Sequence, residues 1–170
     1  KHDECDTQAY RSVEECEMKV IELHKSITAS NEKDANALRM QMKFQGTLLI
    51  NLMSSPGSGK TTLLSSTIQM LEKFKIAVLE ADIESAVDAE RIEQLGAVAV
   101  QVHTDGMCHM DAGMTKTGID AMKEHDIDLA FLENVGNLIC PAEYDTGAGK
   151  NVMILSVTEG DDKPLKYPLM

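Results

Sequence analysis

The chain has 170 residues, and its 43% of hydrophobic residues suffice for one substantial core but not for two independent domains. An excess of 28 acidic over 16 basic residues gives a net charge of −12, which disfavours non-specific binding to nucleic acid or to an anionic membrane. No stretch approaches the about 20 apolar residues of a membrane-spanning helix, and the polar N-terminus does not resemble a signal peptide, so we expect a soluble cytoplasmic protein.

The first part of the chain has a helical pattern and the rest alternates between strands and helices. Ser12–Phe44 contains helix formers without Pro or Gly, which predicts one or two amphipathic helices with a break in the polar run Ala29–Lys33. The later alternation predicts an α/β fold, with a mainly parallel doubly wound sheet flanked by helices. The predicted strands are Thr47–Met53, Ile76–Glu80, Ala97–Val102, Leu129–Glu133 and Val152–Val157, and the predicted helices are Lys60–Phe74, Val87–Leu95 and Asp111–Glu124.

The segment Ser54–Thr62, SSPGSGKTT, lies between a predicted strand and a predicted helix. Its spacing is that of a P-loop, GxxxxGK(S/T), with serine in place of the first glycine. Gly57 and Gly59 allow the backbone to curl so that its N–H groups point at phosphate oxygens. Lys60 can reach the β- and γ-phosphates, and the hydroxyl of Thr61 can bind Mg²⁺. The alternative is a glycine-rich turn without a ligand. The predicted nucleotide-binding residues of this loop are Pro56, Gly57, Ser58, Gly59, Lys60, Thr61 and Thr62.

Acidic residues follow two of the other predicted strands, where ligands bind in this class of fold. Asp82 follows the second strand and could hold Mg²⁺ or orient the attacking water, the alternative being a helix N-cap or a surface carboxylate. Glu133 ends the fourth strand, and the N–H of Gly136 could meet a γ-phosphate, as in a switch loop. An ordinary turn is the alternative there. The candidate catalytic residues are Lys60, Asp82 and Glu133, and the candidate Mg²⁺ ligands are Thr61, Asp82 and Glu133.

Two further loops carry thiol and imidazole groups. Cys108 and His109 follow the third strand, and Cys140 follows the strand that ends in Glu133. Thiolate and imidazole suit Ni²⁺ and Zn²⁺, whereas Mg²⁺ prefers oxygen, so these residues are candidate ligands of a second metal site. Three ligands leave a coordination sphere incomplete, and a twofold dimer could complete it by bringing two such sets together at a shared interface. Packing is the alternative role for cysteine, and it is the role that we assign to Cys5, Cys16, Met107, Met110 and Met114.

The motifs SSPGSGKTTLL, GMCHMDA, FLENVGNLICPAEYD and LSVTEGDDKPLKYP, together with ADIES, resemble the hydrogenase nickel-incorporation GTPases of the HypB type over residues 48–170. The resemblance implies a dimeric P-loop GTPase that binds GTP or GDP with Mg²⁺. It implies that the protein works with the hydrogenase large subunit and other nickel-insertion accessory proteins, loading nickel into nickel-iron hydrogenase and sometimes urease. It also implies that Gly57–Thr62 bind GTP, that Asp82 and Glu133 lie near Mg²⁺, and that Cys108, His109 and Cys140 bind Ni²⁺ or Zn²⁺ near the dimer interface.

The chain departs from some members of that family at both ends. It lacks the N-terminal CxxCGC motif and a His-rich tract, so a separate high-affinity nickel site is not expected. It also stops before the Asn-Lys-x-Asp segment that reads guanine in relatives. We therefore expect the C-terminal part of the P-loop GTPase domain, residues 46–170, to be missing, and the guanine preference depends on the resemblance alone. We predict that the helical segment 1–45 packs on this domain.

We predict a metallochaperone in which nucleotide binding orders the loops at Asp82 and Glu133 and thereby changes the metal ligand set in the dimer. Three alternatives remain open. The first is a urease-type nickel accessory GTPase, although the metal motif of those proteins is Cys-Pro-His. The others are a P-loop small-molecule kinase and a non-catalytic nickel-binding or storage protein.

Overall fold

A sheet of five parallel strands forms the centre of the protein in the computed structural model, which describes residues 29–81, 86–160 and 162–169. The strands are β1 (Leu48–Ser54), β2 (Ile76–Glu80), β3 (Val98–Gln101), β4 (Leu129–Glu133) and β5 (Lys150–Ile154). Their order in the sheet is β3-β2-β4-β1-β5, and every neighbouring pair is parallel. The predicted α/β fold with a parallel sheet is confirmed.

Helices connect the strands and cover both faces of the sheet. They are α1 (residues 29–45 of the described chain), α2 (Lys60–Met70), α3 (Ala86–Gln94), α4 (Ala112–Ala121), α5 (Cys140–Glu143) and α6 (Lys163–Lys166), with a 3₁₀ turn at Val157–Glu159. Among the described helices, none is both long and apolar enough to cross a membrane. The short helices α5 and α6 were not predicted, because a single helical turn has no periodicity to detect.

The predicted break in the N-terminal helix at Ala29–Lys33 is wrong, since these residues are helical. The side chain of Asn31 explains the polar character of the run. Its Oδ1 accepts the N–H of Ala112 at 2.9 Å, and its Nδ2 donates to the carbonyl of Asp145 at 2.9 Å. The polar residue therefore ties α1 to the rest of the fold. The part of the predicted helical segment before residue 29 lies outside the described residues.

The last strand was predicted at Val152–Val157 but lies at Lys150–Ile154. Because β5 is an edge strand, its polar first residues, Lys150 and Asn151, are tolerated at exposed positions and give no apolar signal. Val157 is 97% exposed and belongs to the 3₁₀ turn. The prediction was therefore displaced toward residues that are apolar but not in the sheet.

Alternate residues of the strands supply two hydrophobic clusters, one on each face of the sheet. In β2, Ala77 and Leu79 belong to one cluster, whereas Ile76 and Val78 belong to the other. Each large aliphatic side chain that is fully buried in this way contributes about 1.5–3 kcal/mol. The helices add Leu38 and Met42 of α1 with Ile119 of α4 to the first cluster, and Leu64 and Ile68 of α2 with Ile92 of α3 to the second.

The parallel arrangement places the carboxyl ends of all strands at one edge of the sheet. Strand β4 lies between β1 and β2, so that Glu133 pairs with Leu52 on one side and with Glu80 on the other. The loops that follow β1, β3, β4 and β5 meet at this edge, and they carry most of the residues that the sequence singled out.

Gly118 in α4 tests how tightly the helices pack on the sheet. A Cβ at this position would lie 2.4 Å from Leu79 Cδ2 and 2.9 Å from Val102 Cγ2. We expect Gly118→Ala to lower the free energy of unfolding by about 1–3 kcal/mol, because the crowding outweighs the better helix propensity of alanine. Denaturant unfolding measures the effect.

Gly113→Ala in the same helix is the matched control. A Cβ there would make one ordinary contact, at 3.4 Å from Asp111 Oδ1. We expect this variant to be as stable as the wild type or up to about 1 kcal/mol more stable. Equal stability of the two variants would contradict the tight packing of α4.

Candidate functional site

The loop between β1 and α2 has the backbone of a phosphate-binding loop. Gly57 and Gly59 are left-handed, with φ of 72° and 93°, a conformation that a residue with a Cβ rarely adopts. Gly59 is the N-cap of α2, and no side chain caps this end of the helix. The first N–H groups of α2 therefore face the loop and provide donors and a positive helix end for an anion.

Ser54, which replaces the first glycine of the motif, is fully buried at the end of β1. Its backbone is not in the left-handed region, so serine causes no strain at this position. The ammonium of Lys60 donates to Ser54 Oγ at 3.0 Å, and Ser54 Oγ donates to the carbonyl of Ser55 at 2.8 Å. This hydroxyl therefore holds the lysine side chain along the loop.

A cleft of about 460 Å³, here called the P-loop cleft, opens above the loop. It brings together most of the predicted nucleotide-binding residues and adds Val135, which the sequence did not suggest. Ser58 does not line it, because its hydroxyl points to Glu159 at 2.8 Å. The cleft is lined by Pro56, Gly57, Gly59, Lys60, Thr61, Thr62, Glu133, Val135 and Gly136.

The loop after β4 closes one side of the P-loop cleft. The hydroxyl of Thr61 donates to Glu133 Oε1 at 3.0 Å, and Glu133 is only 8% exposed. Gly136 lies against the P-loop, where an added Cβ would be 3.2 Å from Pro56 Cα. Hydroxyl and carboxylate oxygens are the donors that Mg²⁺ prefers, so Thr61 and Glu133 fit that ion. Asp82, the third predicted Mg²⁺ ligand, lies outside the described residues.

The two thiols predicted to bind metal lie next to each other. Cys108 is exposed and Cys140 is partly buried. A hydrogen bond between the two thiols raises the pKa of Cys140, and burial raises it further. Cys108 Sγ also lies 3.9 Å from Nδ1 of His109.

In the part of the chain that the structure describes, however, no three Cys, His, Asp or Glu side chains are grouped closely enough to hold a metal ion. Cys5 and Cys16 lie outside that part.

His109 is 8% exposed, and its ring stacks on Tyr144 with 3.7 Å between the ring centroids and an angle of 15° between the planes. Burial lowers the pKa of His109, although the carboxylates of Asp111 and Glu143 act in the opposite direction. The imidazole is therefore neutral at pH 7, which is the form that binds metal ions. No local sequence pattern indicates that Tyr144 packs here. The nearby Met110 is fully buried in the core, as its packing role predicts.

A chain of buried amides connects the sheet to the loop that carries His109. Asn51 donates to the side chain of Asn151 and accepts from Asn134, both at 3.0 Å. The Oδ1 of Asn134 accepts the N–H of Met110 at 3.1 Å and that of Val135 at 2.9 Å. Because a buried amide without partners costs about 1–3 kcal/mol, these bonds fix the His109 loop against the loop after β4. No local sequence pattern predicts these hydrogen bonds between asparagines.

Glu159 is a further residue of the site that was not predicted, although it lies in the motif TEGDDKP. Its carboxylate accepts the hydroxyls of Ser55 at 2.6 Å and Ser58 at 2.8 Å, and the N–H of Ser156 at 3.2 Å. The hydrogen bonds from Ser55 and Ser58 hold the pKa of Glu159 below its ordinary value. This side chain therefore ties the P-loop to the segment after β5.

Comparison with known proteins agrees with this geometry. Residues 48–159 match the family model described as CobW/HypB/UreG, nucleotide-binding domain. The hydrogenase/urease maturation factor HypB of Helicobacter hepaticus is 47% identical over 156 residues, which cover 89% of this chain and 64% of that protein. The hydrogenase maturation factor HypB of Azotobacter chroococcum is 45% identical over 153 residues, covering 89% of this chain and 50% of that protein.

Among solved structures, HypB from Helicobacter pylori in complex with nickel superposes with a TM-score of 0.77 at 41% identity. The match covers 83% of this chain and 67% of that one. The chain thus spans between 50% and 64% of the length of the two curated relatives.

Glu159 provides a pH-dependent test of the contact between the P-loop and the segment after β5. Because the pKa of Glu159 is lowered in the folded protein, its contribution to stability is complete above the ordinary value of 4.5. That contribution is lost as the pH falls through the lower folded value. We expect the wild type to be more stable than Glu159→Gln at about pH 7, and the difference to shrink toward about pH 3.5.

Denaturant unfolding of both proteins across this pH range measures the difference. Glu93→Gln, which removes an exposed carboxylate of α3, is the control and should leave the pH dependence unchanged. A difference between wild type and Glu159→Gln that stays constant down to about pH 3.5 would contradict the assignment.

Proposed function

This chain belongs to the family of CobW, HypB and UreG nucleotide-binding domains, as its motifs predicted, and on that premise we propose that it hydrolyses GTP to control nickel delivery during hydrogenase maturation. The two similar proteins named as maturation factors support the process, and the relative solved with nickel supports the metal. The activity, the cargo and the partners are proposals for the protein as a whole.

The P-loop cleft is the proposed site of GTP. Gly57–Thr62 hold the phosphates through their backbone N–H groups, and Lys60 leaves Ser54 to contact the β- and γ-phosphates. Thr61 and Glu133 would hold Mg²⁺, with Asp82 as the third proposed ligand, and the ion would supply positive charge against the charge that develops on the phosphates. Glu133 or Asp82 orients the attacking water, and the N–H of Gly136 contacts the γ-phosphate.

Nickel, or zinc in its place, is the proposed cargo of Cys108, His109 and Cys140. The contact between the two thiols supports this assignment, and so does the neutral imidazole beside Cys108. The described residues of one chain do not supply a complete ligand set. We therefore propose that two copies of the chain form a homodimer and complete the coordination together.

The observation that carries the proposal is the position of one short segment, Glu133–Cys140. Its first residue bonds to Thr61 in the P-loop cleft, and its last residue bonds to Cys108 through the thiols. Loss of the γ-phosphate changes the contacts of this segment at the cleft, and the segment transmits that change to the thiols. Hydrolysis then releases or relocates the ion.

Urease is a second candidate target, because the name of the Helicobacter hepaticus relative includes both enzymes. Nickel delivery to hydrogenase and to urease would use the same cleft and the same thiols. The hydrogenase large subunit, the other accessory proteins and the cytoplasmic location stay predictions.

Lys60→Ala tests the hydrolytic part of the proposal. We expect GTP turnover to fall by at least about 100-fold, because the ammonium group stabilises charge that develops on the phosphates. Phosphate release from GTP measures turnover. Lys73→Ala removes an exposed lysine beyond the end of α2 and should leave turnover unchanged. Comparable turnover in wild type and Lys60→Ala would exclude the P-loop cleft as the catalytic site.

Nickel titration of the full-length protein with a GTP analogue or with GDP tests the coupling. We expect the nickel affinity of the wild type to differ about 5–150-fold between the two nucleotides, and that of Cys108→Ala to be weaker and independent of nucleotide. Met107→Ala changes the neighbouring exposed side chain and should behave as wild type. Identical wild-type affinities with both nucleotides would defeat the proposed switch and favour a storage protein.

A further inference from the structure

We propose that Asn137 is the positioning residue through which the nucleotide-binding loops set the geometry of the two thiols, an inference that rests on the proposed function. Asn137 lies in the segment Glu133–Cys140, between the end that lines the P-loop cleft and the end that carries a thiol. Its side chain reaches the thiol loops, and its backbone reaches the P-loop.

The side chain of Asn137 bonds to the backbone beside both cysteines. Its Nδ2 donates to the carbonyl of Cys108, and its Oδ1 accepts the N–H of Cys140 at 3.0 Å. The same Oδ1 accepts the N–H of Ile139 at 3.1 Å. One amide group therefore holds together the two chain segments that carry Cys108 and Cys140, which are 32 positions apart in sequence.

The backbone of Asn137 is attached to the phosphate-binding loop. It forms an isolated antiparallel bridge with Ser54, whose hydroxyl accepts the ammonium of Lys60 at 3.0 Å. Its N–H also donates to the carbonyl of Val135 at 2.8 Å, across Gly136, which lies against Pro56. A phosphate that draws Lys60 away from Ser54, or that contacts the N–H of Gly136, therefore acts on the residues bonded to Asn137.

The partial exposure of the Asn137 side chain favours a role in positioning the thiol loops over a role in core packing. Asn137 is partly exposed, whereas its neighbour Leu138 is 6% exposed and packs in the core. Asn134 of the same segment is 1% exposed and belongs to the buried amide chain. Substitution of Asn137 therefore leaves the core intact and changes the bonds to the thiol loops.

The position of these bonds fits a function in metal binding. Groups that orient metal ligands without touching the metal change metal affinity by about 10–100-fold when they are replaced. Asn137 contacts the backbone of Cys108 and Cys140, so its movement changes the separation of the thiols without contact between Asn137 and the ion. The expected consequence is that metal affinity follows the state of the P-loop cleft.

Asn137→Asp is the decisive variant, because it removes the hydrogen-bond donor of the side chain and keeps its acceptor. The carboxylate retains an acceptor for the N–H groups of Ile139 and Cys140, but it cannot donate to the carbonyl of Cys108. We expect nickel affinity to fall about 10-fold and the nickel affinities with a GTP analogue and with GDP to become equal, while nucleotide affinity is unchanged. The thiolate-to-nickel charge-transfer absorption of the full-length protein reports the titration.

Two further variants control the experiment. Asn36→Asp adds the same negative charge at an exposed position of α1 and should retain the wild-type nickel affinities. Asn137→Ser removes the amide donor without adding charge and should also abolish the difference between nucleotides. If Asn137→Asp does not fold, the nickel titration of Asn137→Ser provides the test.

The outcomes separate the two proposals. If the wild type binds nickel equally with both nucleotides, the proposed function fails and the inference fails with it. If the wild type shows a difference and either folded Asn137 variant retains it, the inference alone is overturned. Loss of the difference with intact nucleotide binding supports both.

Discussion

The pairing of β4 with both β1 and β2 is the constraint on which the site depends. Because β4 is inserted between two strands that precede it in sequence, its carboxyl end emerges directly beside the P-loop. Leu52 pairs with Glu133 in this register, which allows the hydroxyl of Thr61 to reach the carboxylate at 3.0 Å. If β1 and β2 were neighbours, the loop after β4 would emerge at least one strand further from the P-loop, since adjacent strands are about 4.7–4.9 Å apart.

The polar groups on the α1 and α4 side of the sheet make this arrangement specific. Asn51 and Asn134 are each 1% exposed, and hydrophobic residues of similar size would be cheaper to bury. Their bonds are satisfied only in the observed register, because Asn134 must face Asn51 and also reach the N–H of Met110. A shifted strand would leave buried amides without partners. The cost of burying them therefore selects the register that aligns the His109 loop with the loop after β4.

Much of the fold could be predicted from local patterns, and the site could be predicted only in part. β2 and β4 were predicted at their observed bounds because each is a short continuous apolar run between polar residues. The P-loop was recognisable from its spacing. The contacts of Glu159 with the P-loop serines, and of Asn137 with Cys108, join residues that are far apart in sequence. Such contacts arise from the order of the strands, which the sequence pattern does not contain.

The chemistry required at residue 137 explains why an amide suits that position. The group must donate to the carbonyl of Cys108 and accept the N–H of Cys140 with the same short side chain. A carboxylate has no donor at neutral pH, an ammonium has no acceptor, and a serine hydroxyl is too short to span two chain segments. An asparagine that is partly exposed can also break and remake these bonds with water as the competing partner. The proposed coupling requires a link of this kind, which aligns the thiols and is weak enough to change when the phosphate-binding loop changes.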